Sequence, residues 1–470
     1  MAIIQQLEKN CNSYFIFVNN YFYTQSTVHT FHYLKTVRAE NPFPRIDSAR
    51  KSCYNIANIC AKEGTPVFNV IPELLYKILS LFLPCILFFS GASCASLDYS
   101  GKLVDDQADY MGLREAYEDY FPVGAAVISW ELDDPRLVAF IKKNFSMITP
   151  EWELKQSSYQ KRDPVDGREL DDWSADTIVP DWQLLQPGDP DYRLGGMDRL
   201  ASFARANGLK IRGHTLIWPV QDVWMLWTDN TKTQLTDKAT LFARMDAYIG
   251  FIMGRYGDVI DVWDVVNEPF HHAWAYSIKR TWYWDIAGEE FITKAFELAD
   301  KYSDGDDILM VNETFVEGNA AKTSNMFKSV ERWLKQGVRI DGIGTQGHMG
   351  TVSTKPFDPN FCVVDDLAQR CRKLGVKLEY TEVDIKIFEI DRQRTAEAPP
   401  QWLETWQIFK YKKFFEALRR NKDVVIGTTF WGLDDAHSVI NYNDNVYKDW
   451  PMLFDRSGLP KQNFFAVCDF

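Results

Sequence analysis

The sequence is short of positive charge and of usable cysteine chemistry. Its 52 Lys and Arg residues are outnumbered by 65 Asp and Glu, leaving a net charge of −13. That balance argues against a nucleic-acid-binding role, which needs a basic face to displace phosphate counterions. The eight cysteines are thinly spread, with no CxxC and no pair at metal-ligand spacing. Five of them (Cys11, Cys53, Cys60, Cys85 and Cys94) precede residue 100. The odd remainder, Cys362, Cys371 and Cys468, argues against a disulfide framework, although one bridge stays open. Low-complexity linkers and long internal repeats are missing too. What is abundant is apolar and aromatic: 46% of residues are hydrophobic and 16 are Trp. Several of these, such as Trp152, Trp263 and Trp431, adjoin charged residues. A ring with a polar edge suits a sugar cleft, because one face of a pyranose is apolar and stacks on it.

The first hundred residues read differently from the rest. Residues 1–72 have no apolar periodicity and no motif, and are left as an unassigned extension. Residues 73–96 follow the plan of a secretory signal: Lys77, an apolar run from Ile78 to Phe89, then small residues with a cleavage site at Ser93-Cys94-Ala95. The run is short for a membrane span and Pro84 interrupts it. A membrane anchor and lipid attachment at Cys94 are the alternatives, the latter weakened by the small residues Gly91-Ala92-Ser93 before it. The functional start is therefore expected near residue 74, and the protein is expected in the bacterial cell envelope or outside the cell.

From residue 105 to 470, short apolar runs alternate with helical stretches. The runs cover residues 121–129, 145–149, 209–218, 259–267, 308–313, 340–348, 376–384 and 424–431. Stretches such as LGGMDRLASFARANG and LFARMDAYIGFIMGRYG separate them and end at Gly, a common helix stop. Near-continuous apolar strands alternating with helices predict a parallel sheet, and eight such units predict a closed (β/α)8 TIM barrel. Polar residues crowd at the C-terminal ends of the runs: Glu151, His214, Asn267, Glu268, Asn312, Gln346, His348, Glu382 and Asp384. That is the end of a barrel where active sites lie.

Two of these carboxylates fit glycoside cleavage. A carboxylic acid must protonate the leaving oxygen, and a retaining enzyme adds a carboxylate nucleophile about 5–5.5 Å away. Glu268 closes the fourth run, in WDVVNEPF, and Glu382 closes the seventh, in YTEVDI. The two runs stand nearly opposite across a barrel. Asn267 is placed to bind the 2-hydroxyl of the reacting sugar, and Pro269 stops the strand.

ITPEWELK (148–155), RGHTLIW (212–218), WDVVNEP (263–269), GIGTQGH (342–348), TEVDI (381–385), WGLDD (431–435) and LFDRSGLPK (453–461) occur in that order. Together they make residues 105–470 resemble family 10 of the glycoside hydrolases, the endo-β-1,4-xylanases. The resemblance implies retaining cleavage of xylan, with Glu268 as general acid/base and Glu382 as nucleophile. It implies that His348 hydrogen-bonds the nucleophile and that Asp384 orients His348. The Glu382 charge then keeps Glu268 protonated at rest, and its loss in the covalent intermediate frees Glu268 to act as base. Glu151, Trp152, Lys155, His214, Trp218, Gln221, Asn312, Gln346 and Trp431 are the implied substrate-binding residues. No metal and no cofactor is implied, and the partner is a polysaccharide acted on by a monomer.

Three positions depart from the family: Trp152 stands for Asn, Pro219 for His, and Val439 for a second Trp. All lie in sugar subsites, so a decorated xylan or related β-glycan is the expected variation. The rival readings are a β-glucanase of another barrel family, a noncatalytic sugar-binding homologue, and a metal hydrolase using Asp264, Glu268, His271 and His272. The GIGTQGH and TEVDI segments, and the retention of Glu268, Glu382 and His348 together, argue against the first two. For the third, Asp264 and Glu268 lie on one strand and the His-His pair on a loop.

Overall fold

The computed structural model describes residues 110–161, 170–271, 278–351, 361–388, 397–442 and 448–470. The extension, the signal-like segment and His272 fall outside the described residues.

Each of the eight apolar runs forms a strand. They are β1 (Val123–Val127), β2 (Met147–Pro150), β3 (Lys210–Gly213), β4 (Ile260–Asn267), β5 (Ile308–Glu313), β6 (Gly342–Thr345) with its extension β7 (His348–Gly350), β8 (Lys377–Lys386) and β9 (Val425–Phe430). All pairings between them are parallel. The order runs β6-β5-β4-β3-β2-β1-β9-β8-β7, and a β6–β8 pairing closes the ring. The sixth barrel position is split because Gln346 and Gly347 break the strand, Gly347 taking φ 78°.

A principal helix follows each position: α1 (Pro135–Asn144), α2 (Gly195–Asn207), α3 (Lys238–Tyr256), α4 (Glu290–Tyr302), α5 (Ala320–Lys335), α6 (Cys362–Leu374), α7 (Gln401–Arg420) and α8 (Gln462–Cys468). The ends follow local chemistry. Asp134 caps α1 by accepting from the Arg136 N–H at 2.8 Å, with Pro135 at the first helical position. Asp237 caps α3 through Thr240 N at 3.0 Å. Gly208 stops α2 and Gly375 stops α6, both in the left-handed region. α4 buries Phe291, Ile292, Ala295, Phe296 and Ala299, a helical period that seals one face against the barrel and α3. Cys371 and Cys468 are free thiols.

The barrel interior holds more charge than a stack of Val, Ile and Leu would. Arg212 from β3 donates to both oxygens of Asp264 on β4, and its Nε reaches Glu379 on β8 at 3.1 Å. β3 and β8 are not neighbours, so the guanidinium spans the interior, and all three side chains are buried. Burial and the charge of Asp264 raise the Glu379 carboxyl, against the pull of Arg212. Arg212→Met strands the buried Glu379 carboxyl, leaves Asp264 with His214 alone, and is expected to cost about 3–5 kcal/mol. A denaturant titration reads this directly; an unchanged midpoint would show that the network adds nothing to stability.

Candidate active site

The site is built at the C-terminal rim, where β4, β5, β7 and β8 bring four polar segments together. β8 is the longest strand and carries Glu382 in its middle rather than at its end. Glu268 lies one residue beyond β4 with φ 53°, a left-handed backbone that a non-glycine residue adopts only when its surroundings hold it there. Those surroundings are visible. Glu268 N donates to Asn312 O at 2.8 Å. Two residues on, Phe270 N donates to the buried carboxylate of Glu313 at 2.8 Å, and Lys322 of α5 neutralises that carboxylate at 2.6 Å.

Gln346 holds both glutamates. Its side-chain amide donates to Glu268 Oε1 at 2.8 Å, and its backbone carbonyl accepts from Glu382 N at 2.8 Å. Asn312 makes a second link, donating through Nδ2 to Glu382 Oε1 and to Asn267 Oδ1, each at 3.0 Å. Its Oδ1 accepts from the Thr381 hydroxyl at 2.7 Å, so the amide can face only one way. Gly344 makes room for it: a Cβ there would stand 2.6 Å from Asn312 Oδ1.

His348 faces a carboxylate on each side, with Nδ1 2.6 Å from Asp384 Oδ2 and Nε2 3.2 Å from Glu382 Oε2. Two acceptors require both ring nitrogens to carry protons, hence an imidazolium. Burial alone pulls its pKa down, but Asp384 and Glu382 override this and raise it to about 10. Glu382 is the mirror case: burial pushes it up, while His348, His214 and Lys155 hold it at about 2. The pairing therefore stabilises the fold in two windows. The Glu382 share is full above the ordinary carboxyl value of 4.5 and is lost as pH falls towards 2. The His348 share is full below the ordinary 6.5 and is lost as pH rises through about 10. His348→Asn should accordingly move the acid limb of kcat/KM upward by about one pH unit. An unmoved limb would mean that His214 and Lys155 alone keep Glu382 charged.

Several of the remaining predicted residues are linked to this pair or to one another. His214 is buried, its Nδ1 2.8 Å from Asp264 Oδ2, so the barrel's ion network orients it. It meets Trp431 edge-on, with ring centroids 5.3 Å apart. Asp264 is thus committed to Arg212 and His214 rather than to a metal set with Glu268. The Lys155 ammonium lies 4.5, 5.1 and 5.5 Å from the ring centroids of Trp152, Trp218 and Trp431. Burial lowers its pKa, against the pull of Glu382, Glu151 and Glu268. Glu151 is buried, with the Trp152 side chain beside its carboxyl. Burial, and then the Glu131 charge, raise it to about 7. Gln221 is tied to Ser157, donating to its hydroxyl at 2.7 Å, and so joins two rim loops.

One contact was invisible in the sequence. Lys279 donates to Glu268 Oε2 at 3.2 Å, the oxygen that Gln346 leaves free. It sits just after a bridge between Phe270 and Ile278, and its own N–H donates to Pro269 O at 2.8 Å. No pattern in the sequence distinguishes it from a solvated lysine.

Comparison with known proteins places these features. The chain is 31% identical over 360 residues to the beta-1,4-xylanase of Dictyoglomus thermophilum, covering 76% of this chain and 90% of that protein. It is 28% identical over 412 residues to a thermostable celloxylanase of Thermoclostridium stercorarium, covering 84% and 98%. Among solved structures, xylanase B from Clostridium stercorarium F9 superposes with a TM-score of 0.64 at 28% identity, over 77% of this chain and all of that one. The pattern of glycosyl hydrolase family 10 matches residues 112–470. With the closed eight-position barrel and its rim of carboxylates, the chain belongs to glycosyl hydrolase family 10.

Proposed function

We propose that this protein is a retaining endo-β-1,4-xylanase with Glu382 as nucleophile and Glu268 as general acid/base. The observation that carries the reading is Gln346, which binds one glutamate through its side chain and the other through its backbone. It ties the two residues that bear these carboxylates to one cleft. Glu382 is surrounded by cations and kept ionised, as a nucleophile must be. In the first step a Glu382 oxygen bonds to the anomeric carbon, the glycosidic C–O bond breaks, and the leaving oxygen takes the Glu268 proton. In the second, Glu268 takes a proton from water, the water oxygen bonds to the same carbon, and the Glu382 carboxylate leaves. Gln346 and Lys279 serve the ionised form of Glu268 that this second step uses. Asn267 is the partner of the 2-hydroxyl, and Glu151, Lys155, His214, Trp218 and Trp431 take the sugars on the nonreducing side.

The test is hydrolysis of xylan by residues 97–470, with products followed by size and anomeric form. Short xylo-oligomers released with the β configuration support the proposal; α-anomers, or release of xylose alone, count against it. A second reading widens the substrate to decorated xylan or another β-glycan, favoured by Trp152, Pro219 and Val439 at subsite positions and by the celloxylanase relative. Rates on plain, substituted and mixed-linkage polymers separate the two, and a clear preference for unsubstituted linear xylan ends the second. The apolar run from Ile78 to Phe89, followed by Ser93-Cys94-Ala95, supports export of the enzyme to meet a polymer too large to enter a cell. A mature chain that retains residue 78 would refute that.

A further inference from the structure

At the rim beside the site, two tryptophans keep half their surface in water: Trp130 is 52% exposed and Trp152 48%. Trp130 lies in the short helical turn Ser129–Asp133 that follows β1, and Trp152 follows β2, so both stand at the catalytic end of adjacent strands. Large rings left in water are costly unless something covers them.

The backbone beside both rings is fixed. The Glu153 carboxylate accepts from Ser129 N at 2.5 Å and from Trp152 N at 3.4 Å, tying the two loops together. Gly196 packs against this clamp, where a Cβ would stand 2.9 Å from Glu153 Cγ and 3.0 Å from Ser129 Oγ. Glu131, on the other side of Trp130, is buried and accepts from Ile128 N at 2.8 Å. The exposed rings are therefore held by rigid turns rather than carried on loose ends.

Trp152 is also continuous with the site. The ammonium over the Trp152 ring is that of Lys155, which also faces Trp218 and Trp431 and the charge of Glu382. On its other flank β1 pairs with β9, whose following loop carries His437 within reach of the Glu131 charge. That loop leads to Val439, where the family's second ring is missing. The flank that lost a ring at 439 thus lies beside the turn that displays Trp130.

We propose that Trp130, together with Trp152, forms an additional sugar platform at the nonreducing end of the cleft. It takes a backbone xylopyranosyl unit beyond those held by the buried residues. This rests on the xylanase reading, and the experiment separates the two. The quantity read is the ratio of kcat/KM on xylohexaose to that on xylotriose. Trp130→Ala lowers the ratio about tenfold, as expected for one stacking ring, and Trp130→Phe restores most of it. An unchanged ratio in Trp130→Ala overturns the platform. If the wild type cleaves no xylo-oligomer, the activity reading falls, and direct binding decides the platform by itself. Xylohexaose should then bind the Glu382→Ala chain about tenfold more tightly than the Trp130→Ala, Glu382→Ala chain, and equal affinity sinks the proposal.

Discussion

Replacing Glu382 by alanine lowers xylan turnover on the order of 10⁵-fold, the scale expected when a covalent nucleophile is removed. Its surroundings explain why nothing substitutes for it. His348, His214 and Lys155 direct positive charge at that one position, and Asn312 gives it a hydrogen bond at 3.0 Å. Water placed there is not the charged acceptor this cluster stabilises. Glu382→Gln keeps the shape and the Asn312 contact while removing the charge, so its loss should be nearly as large. That pair of variants, measured by reducing-sugar release alongside thermal midpoints, separates chemistry from folding. Activity within tenfold of wild type in either variant would remove Glu382 from the mechanism.

The second large effect depends on the leaving group. Glu268→Ala is expected to slow xylan cleavage on the order of 10³-fold, because a sugar alkoxide leaves poorly without a proton. An aryl xylobioside with an acidic phenol needs little protonation, so its first step survives. Its second step still lacks a base, and the glycosyl-enzyme accumulates. Rapid mixing should show a burst of phenol equal to the enzyme concentration, followed by a slow steady state. A uniform loss across leaving groups, with no burst, would assign Glu268 a binding role instead.

The barrel was legible because its strands are buried on both faces. That burial makes each run continuously apolar, as in Val123–Val127, whose five residues are all buried. Glu268 and Glu382 were legible because they interrupt such runs with charge. The supports were not. Arg212, Asp264 and Glu379 lie on three strands, and only barrel closure brings them together. Lys322 reads as one more lysine on an amphipathic helix, yet it neutralises Glu313 in the interior. Lys279 and Trp130 likewise take their meaning from neighbours distant in sequence. The register of the carboxylates was also subtler than the pattern suggested. β8 runs four residues past Glu382, whereas Glu268 has already left its strand and turned through a left-handed backbone.

The neck that follows Glu268 bears on how such an enzyme diversifies. Phe270 is pinned to Glu313, Lys279 to Pro269, and a bridge joins Phe270 to Ile278. Glu268 is therefore anchored upstream of residues 272–277 and braced by Lys279 downstream of them. Insertions or exchanges within that stretch are insulated from proton transfer by the closed neck. Selection, natural or in the laboratory, can rewrite the sequence between those two anchors while inheriting the reaction unchanged.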